Sequence, residues 1–193
     1  LLNPDAQLAP GAIKALLDAA ALDPAAGLWG GRILRPDGSV DTTTARRLPS
    51  LPLALASSTG LAALGRKLGL FDLDALPGLA GATAPTTVPM LSGVLLLARR
   101  DVWERLGGFD PAYFLYGEDN DLCDRAAELG FRPTYVPDAV ATHHAGASSS
   151  STSKAVLLLA GRATYLRRRW SPGRRRVGLA LLESGVLARR LIA

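Results

Sequence analysis

The sequence predicts an α/β fold, and three observations carry that reading. Residues 94–98, Val-Leu-Leu-Leu-Ala, are a short continuous apolar run of the kind that forms a buried strand. Ile13, Leu16, Leu17 and Ala20 recur at helical spacing, and Leu122, Ala126 and Leu129 do so again. Residues 131–136 and 139–143 read as two short strands around Pro137-Asp138.

Taken in order, Leu1-Leu2 reads as the end of a buried strand that delivers Asn3-Pro4-Asp5 to its C-terminal edge. Ligands of open α/β sheets gather at that edge. Pro10 is suited to start a helix over 10–23, with Ile13, Leu16, Leu17 and Ala20 on its inner face. Residues 31–43 read as a hairpin turning at Pro36-Asp37-Gly38. A loosely amphipathic helix over 49–70 follows. Residues 73–89, rich in Gly, Pro, Ala and Thr, read as a mobile loop. After the 94–98 strand, Asp101 is placed to cap a helix, with Glu104 as capping-box partner and Gly107 as its stop. A further helix spans 119–129 and stops at Gly130. The Ser/Thr run 148–153 reads as flexible. Helices over 154–170 and 174–193 are parted by Pro172-Gly173.

The 193 residues suit one domain with an appendage, and 48% apolar composition is enough for a real core. A single cysteine excludes an internal disulfide and fits a reducing compartment. No signal-peptide pattern opens the chain. The net charge of +5 is unevenly placed. Residues 154–193 hold ten basic side chains and one acid, while the rest holds 12 basic and 16 acidic ones. A mildly acidic body with a basic tail points to a tail that meets an anionic surface. The second tail helix has an apolar stretch of about a dozen residues, short of the roughly twenty that cross a bilayer.

The chemistry concentrates in 114–124, Phe-Leu-Tyr-Gly-Glu-Asp-Asn-Asp-Leu-Cys-Asp. Glu118, Asp119, Asp121 and Asp124 crowd the start of a helix directly after an aromatic loop. Gly107-Gly108-Phe109-Asp110 precedes them. Asn3-Pro4-Asp5 lies far upstream and His143-His144 about twenty residues downstream. A carboxylate, a carboxylate cluster and a histidine suit metal-assisted group transfer with a general base. Each feature also has a plainer reading. Asn-Pro-Asp could be an Asx turn, the acids a solvated helix N-terminus, and His143 a strand-end residue held in a loop. Ser92-Gly93 could serve only tight strand packing. Asp121 and Arg125 read as an ordinary i,i+4 ion pair. Cys123, Trp103 and Phe109 read as core.

The Gly-Gly-Phe-Asp of 107–110 followed by the Tyr-Gly-Glu-Asp-x-Asp-Leu-Cys of 116–123 resembles the inverting glycosyltransferases of family 2, in particular the bacterial rhamnosyltransferase-like subgroup. The resemblance runs from Leu1 to about Trp170. It implies the C-terminal part of a GT-A domain over 1–150, followed by basic amphipathic helices over 151–193. The nucleotide-binding half would lie upstream. In such enzymes Asp119 is the general base and Glu118 its partner. Neighbouring carboxylates raise one another's pKa, which strengthens a carboxylate base. Asp5 matches the last acid of an Asp-x-Asp-type motif, with Asn3 a departure common in the subgroup. His143, in the spacing His-x-x-Gly-x-Ser, joins Asp5 as ligand of a divalent cation, Mg²⁺ or Mn²⁺, with His144 the fallback. Ser92, Gly93, Tyr116 and Asp110 are the expected substrate contacts. Arg46 and Arg47 could meet donor phosphates or simply be solvated.

The implied reaction moves a sugar, rhamnose first, from a nucleotide-diphosphate donor to a cell-envelope glycan or polyprenyl-diphosphate acceptor. The implied location is cytoplasmic, peripheral at the inner face of the plasma membrane. The six arginines of 167–176, with Trp170 among them, fit an interfacial membrane helix. Two other classes stay open. One is a non-catalytic scaffold. The other is nucleic-acid binding through the basic arm, against which stands the lack of any accompanying recognition motif.

Overall fold

The computed structural model describes residues 1–70, 72–144 and 151–192. The elements of the first half are β1 (Ala6–Leu8), α1 (Ala12–Leu22), β2 (Leu28–Leu34), β3 (Ala45–Arg46), α2 (Leu51–Ser58) and α3 (Leu61–Lys67). Then come β4 (Thr86–Thr87), β5 (Met90–Leu91), β6 (Leu96–Ala98), α4 (Arg100–Leu106), α5 (Glu118–Glu128) and β7 (Thr134–His143). Helices α6 (Ser151–Arg169) and α7 (Pro172–Ile192) close the chain.

The main sheet runs β1-β7-β2-β6, with β4 pairing the first residues of β7. β2 and β7 are parallel, and the other pairings are antiparallel. β7 replaces the two strands expected at 131–136 and 139–143. The chain keeps one strand by bulging at Pro137-Asp138, where Val136 faces Gly31 but Val140 faces Arg32. A bulge absorbs a proline that a regular ladder cannot. Gly31 is required opposite it, because a Cβ there would stand 2.2 Å from the Ala139 carbonyl oxygen.

Alternation along β2 and β7 divides the core. Trp29, Ile33 and Val136 point to one face, beneath Leu16 and Ala19 of α1. Leu28 and Tyr135 point to the other, beneath Leu122, Cys123 and Ala126 of α5. The sheet thus lies between α1 and α5, and α5 carries the acidic cluster.

Several local expectations are corrected. α1 buries Ala12, Leu16 and Ala19, while Ile13 and Leu17 face solvent, so its alanine side packs close to the sheet. Leu129 is likewise exposed, one residue past the end of α5. The helix expected over 49–70 breaks in two at Gly60, whose φ is +78°. The 73–89 stretch holds β4, a 3₁₀ turn at Leu79–Gly81 and the buried Val88. Asp101 does not cap α4; the carboxylate is taken by the Arg99 guanidinium at 2.5 and 2.8 Å. Gly107 does end α4, with φ +71°. Leu2 bridges Leu95 as a strand end would, but Leu1 and Leu2 are exposed. The run expected to be flexible over 148–153 lies outside the described residues up to Ser150, and α6 begins at Ser151.

A third apolar cluster joins the C-terminal helices to the body. Tyr113 from the motif loop packs with Tyr165, Leu166 and Trp170 of the α6 end, and with Leu48, Leu51 and Leu179. α7 also packs along α2.

Candidate active site

Asp5 and His143, 138 residues apart in sequence, are brought together by the β1–β7 ladder. Ala6 is paired with His143, and the His144 N–H donates to the Asp5 carbonyl at 2.9 Å. This register sets His143 Nε2 3.1 Å from Asp5 Oδ1. Both side chains are partly accessible, at 16% and 32%. The His144 side chain is exposed and takes no part in the pair. One carboxylate oxygen and one imidazole nitrogen, adjacent at an open sheet edge, suit a hard or borderline divalent cation as two of its ligands. Among the described residues no group of three or more His, Cys, Asp or Glu side chains converges, so the remaining donors would come from elsewhere.

Asp119 is the second residue of α5. Gly117 precedes that helix with φ +97°, and Tyr116 before it sits at φ +68°, a left-handed backbone unusual for a tyrosine. The tight turn aims the start of α5 at the segment between β5 and β6. There the Gly93 N–H donates to Asp119 Oδ2 at 3.3 Å, and the Asn120 N–H donates to Oδ1 at 2.8 Å. Burial holds the Asp119 pKa above the ordinary carboxylate value, against the pull of these two N–H groups. Glu118 is also raised, by burial above all, with the Asp119 charge adding to it, and its buried Oε2 has no hydrogen-bond partner among the described residues. Adjacent carboxyls with raised pKa values are of the kind that cluster at acid/base sites.

The two halves meet at residues 92–94. Gly93 contacts Asp119, and the next residue, Val94, accepts the Asn3 N–H at 3.0 Å. Asn3 begins the turn that presents Asp5, its carbonyl accepting the Ala6 N–H at 3.1 Å. Asp119 and Asn3, two residues before Asp5, therefore hold neighbouring residues of one backbone segment.

The other candidates sit differently. Ser92 Oγ accepts the Val94 N–H, shaping the same segment. Asp110 turns away toward α6. It accepts the Ala112 N–H and pairs with Arg168, which together hold it below the usual carboxylate range. Arg46 pairs with Asp74 at 3.4 Å, and Arg47 donates to the Ala75 carbonyl. Asp121 is fully buried and bound by Arg125 at 2.7 Å, so that pair is structural. Arg125 also donates to the Leu106 and Gly108 carbonyls, which fixes the Gly107-Gly108 turn to α5. Cys123 lies in the core, its thiol pushed up by burial to about 12, and it is no nucleophile.

Sequence reasoning missed the brace behind α5. Gly161, Tyr165 and Arg169 stand at i, i+4 and i+8 on α6 and form one stripe against the motif. A Cβ on Gly161 would lie 1.9 Å from the Tyr116 carbonyl oxygen. The Tyr165 hydroxyl donates to Asp124 at 2.8 Å. Arg169 reaches Asp124 at 3.0 Å and Glu128 at 2.6 Å. Burial alone would lower the Arg169 pKa, and the Glu128 and Asp124 carboxylates more than reverse that. The spacing was visible in the sequence, but the arginines beside it read as a surface charge run.

The family model described as "Glycosyltransferase like family 2" matches residues 5–171, a span that holds Asp5, the acidic cluster, His143 and the α6 brace. The chain belongs to glycosyltransferase family 2. Its α/β sheet between α1 and α5 is that of a GT-A-type domain, with further helices at the C-terminal end. It is 40% identical over 173 residues to the N-acetylglucosaminyl-diphospho-decaprenol L-rhamnosyltransferases of two Mycobacterium tuberculosis strains, CDC 1551 and H37Rv. That match covers 85% of this chain and 52% of each relative, so the chain spans about half of their length. It is also 43% identical over 60 residues to the rhamnosyltransferase WbbL of Escherichia coli K12, covering 31% of this chain and 23% of that protein.

Proposed function

We propose that this family 2 domain works in an inverting glycosyltransferase. It moves a sugar, rhamnose by likeness to its relatives, from a nucleotide-diphosphate donor to a polyprenyl-diphosphate-linked N-acetylglucosamine acceptor of the cell envelope. The observation that carries the reading is Asp119. It is a buried carboxyl of raised pKa that accepts the Gly93 N–H, one residue before the Val94 carbonyl to which Asn3, at the start of the Asp5 turn, is bonded.

In this mechanism Asp119 takes the proton of the acceptor hydroxyl. The freed oxygen attacks the anomeric carbon, a new C–O bond forms, and the bond to the diphosphate breaks on the opposite face. One displacement therefore inverts the anomeric centre. Glu118, whose buried Oε2 lacks a partner among the described residues, orients the acceptor. Ser92, Gly93 and Tyr116 shape the acceptor side, and Asp110 acts through its bond to Arg168. Asp5 and His143 would hold a divalent cation, Mg²⁺ or Mn²⁺, which would supply charge neutralisation for the departing diphosphate.

Residues 1–150 form the catalytic body in this account, and 151–193 a basic helical extension that braces it. Of the six arginines in 167–176, Arg168 and Arg169 are engaged by carboxylates, and Arg174 stacks on Trp170 at 4.1 Å. Arg167, Arg175 and Arg176 remain for an anionic membrane surface at the cytoplasmic face. No helix among the described residues is long and apolar enough to cross a membrane.

The test is transfer by the full-length protein from a labelled nucleotide-diphosphate rhamnose to a lipid-linked N-acetylglucosamine. Product with the anomeric configuration opposite to the donor's, formed only with divalent metal, supports the reading. Retained configuration, or no transfer with any nucleotide-diphosphate sugar, refutes it.

A further inference from the structure

Helix α3 is inside-out for a water-facing helix. Ala62 and Gly65 are its buried residues. Leu61, Leu64 and Leu68, which share one face at three- and four-residue spacing, are 50%, 52% and 57% exposed. Leu70 follows at 70%, and Leu55 on the preceding helix stands at 52%. A soluble surface normally places its leucines inward and its small or charged residues outward. A contiguous apolar row of this kind marks an interaction surface.

The charges around the row say what covers it. No acidic residue occurs between Asp41 and Asp72, while Arg46, Arg47, Arg66 and Lys67 all lie in that interval. Arg46 and Arg66 pair with Asp74 and Asp72, at 3.4 and 3.8 Å. Lys67 is exposed in the last turn of α3. Leucines on one side with lysine and arginine beside them form the pattern of a short helix lying in the headgroup region of an anionic bilayer. The row is also continuous with the basic extension, because α2 packs against both α3 and α7. On α7, Val177 and Leu187 are exposed as well.

We propose that the α2–α3 hairpin is a membrane-docking surface. Its leucine row, Leu61, Leu64, Leu68 and Leu70, inserts among the acyl chains of the anionic leaflet, and the arginines of α7 supply only the electrostatic part. This rests on the lipid-linked acceptor proposed above, and it gives the domain a way to meet such an acceptor at the bilayer surface.

The test uses the full-length protein and vesicles of phosphatidylcholine, alone or mixed equally with phosphatidylglycerol. Wild type should bind the mixed vesicles, with a part that survives high salt, since screening removes the charge component and leaves the apolar one. The triple variant Leu61→Gln, Leu64→Gln, Leu68→Gln should lose that salt-resistant part, with partition at least about tenfold weaker. Its melting should be unchanged. Arg175→Gln with Arg176→Gln should keep the salt-resistant part. Equal partition of the triple variant and wild type overturns the proposal, as does a wild type that binds neither vesicle. A fall in molecular mass from dimer to monomer in the triple variant overturns it in favour of a second copy on this face. Transfer to a water-soluble, short-chain acceptor separates the two readings. Wild type that transfers sugar but ignores vesicles overturns the docking surface alone, and leucine-dependent docking without transfer overturns the glycosyltransferase reading alone.

Discussion

Replacing Gly161 by alanine tests whether α6 positions the acidic motif. The new Cβ would stand 1.9 Å from the Tyr116 carbonyl oxygen, 2.8 Å from its carbon and 3.4 Å from the Leu115 oxygen. An ordinary C···O contact begins near 3.4 Å, so helix and loop must part by roughly 1.5 Å. The packing is equally close at the next residue, where even a Cβ on Gly117 would stand 3.2 Å from the Gly161 oxygen. Tyr116 and Gly117 both hold left-handed backbone, and Glu118 and Asp119 follow at once, so the shift passes to the acids. Misplacement of about 1 Å costs on the order of 10² in rate. Overpacking costs about 1–3 kcal/mol, and the better helix propensity of alanine returns about 1 kcal/mol of it. The variant should therefore stay folded, with kcat down by about 10². Its affinity for nucleoside diphosphate and metal should hold, because Asp5 immediately precedes β1 and His143 ends β7, away from the α6 contact. The assay is transfer at saturating donor, beside a denaturant titration. Wild-type kcat in Gly161→Ala would show that the approach of α6 to Tyr116 has no bearing on the acids.

Other outcomes follow from the same contacts. Arg169→Leu leaves Asp124 and Glu128 short of a partner, while Asp121 keeps Arg125 and Asp124 keeps Tyr165. With those groups partly exposed, the expected loss is about 2 kcal/mol in a denaturant titration, and no loss would reduce the brace to apolar packing. Asp5→Ala and His143→Ala should each weaken the Mn²⁺-dependent binding of nucleoside diphosphate in calorimetry. His144→Ala should not, and the reverse pattern would move the ligand by one residue. Burial raises the Asp119 pKa, so the folded state keeps that proton to higher pH than the unfolded chain. Its contribution to stability is then complete below the ordinary carboxylate range, near pH 4, and is lost as pH rises through the raised value. The stability of Asp119→Asn relative to wild type should therefore grow from acid to neutral pH, read from denaturation midpoints. A flat difference would mean an Asp119 that titrates normally.

The local periods of the sequence located α1, α5 and the 94–98 strand, and the motif residues singled out Asp5, His143 and Asp119, of which the fold brings Asp5 and His143 together. What stayed hidden was set by tertiary contact. β7 looked like two strands because Pro137 reads as a break, and only a partner glycine at Gly31 lets the strand continue through a bulge. α1 looked as if it buried its largest side chains. The sheet lies close enough to prefer its alanines. α6 looked like a detached basic helix because a run of arginines carries no mark of its partners. Asp110, Asp124 and Glu128 lie 40 or more residues away, and only the fold sets them opposite Arg168 and Arg169. The outward leucines of α3 were hidden for the same reason, since spacing shows a face but not which way it points.

The central claim is that Asp119 is the base, and Asp119→Asn in the full-length protein tests it most directly. The amide keeps the shape and one acceptor oxygen, enough for one of the two N–H groups that Asp119 accepts from Gly93 and Asn120, but cannot take a proton. With donor saturating, transfer should fall by about 10² or more while calorimetric binding of nucleoside diphosphate stays at its wild-type value. Turnover near the wild-type rate in that assay would contradict the account.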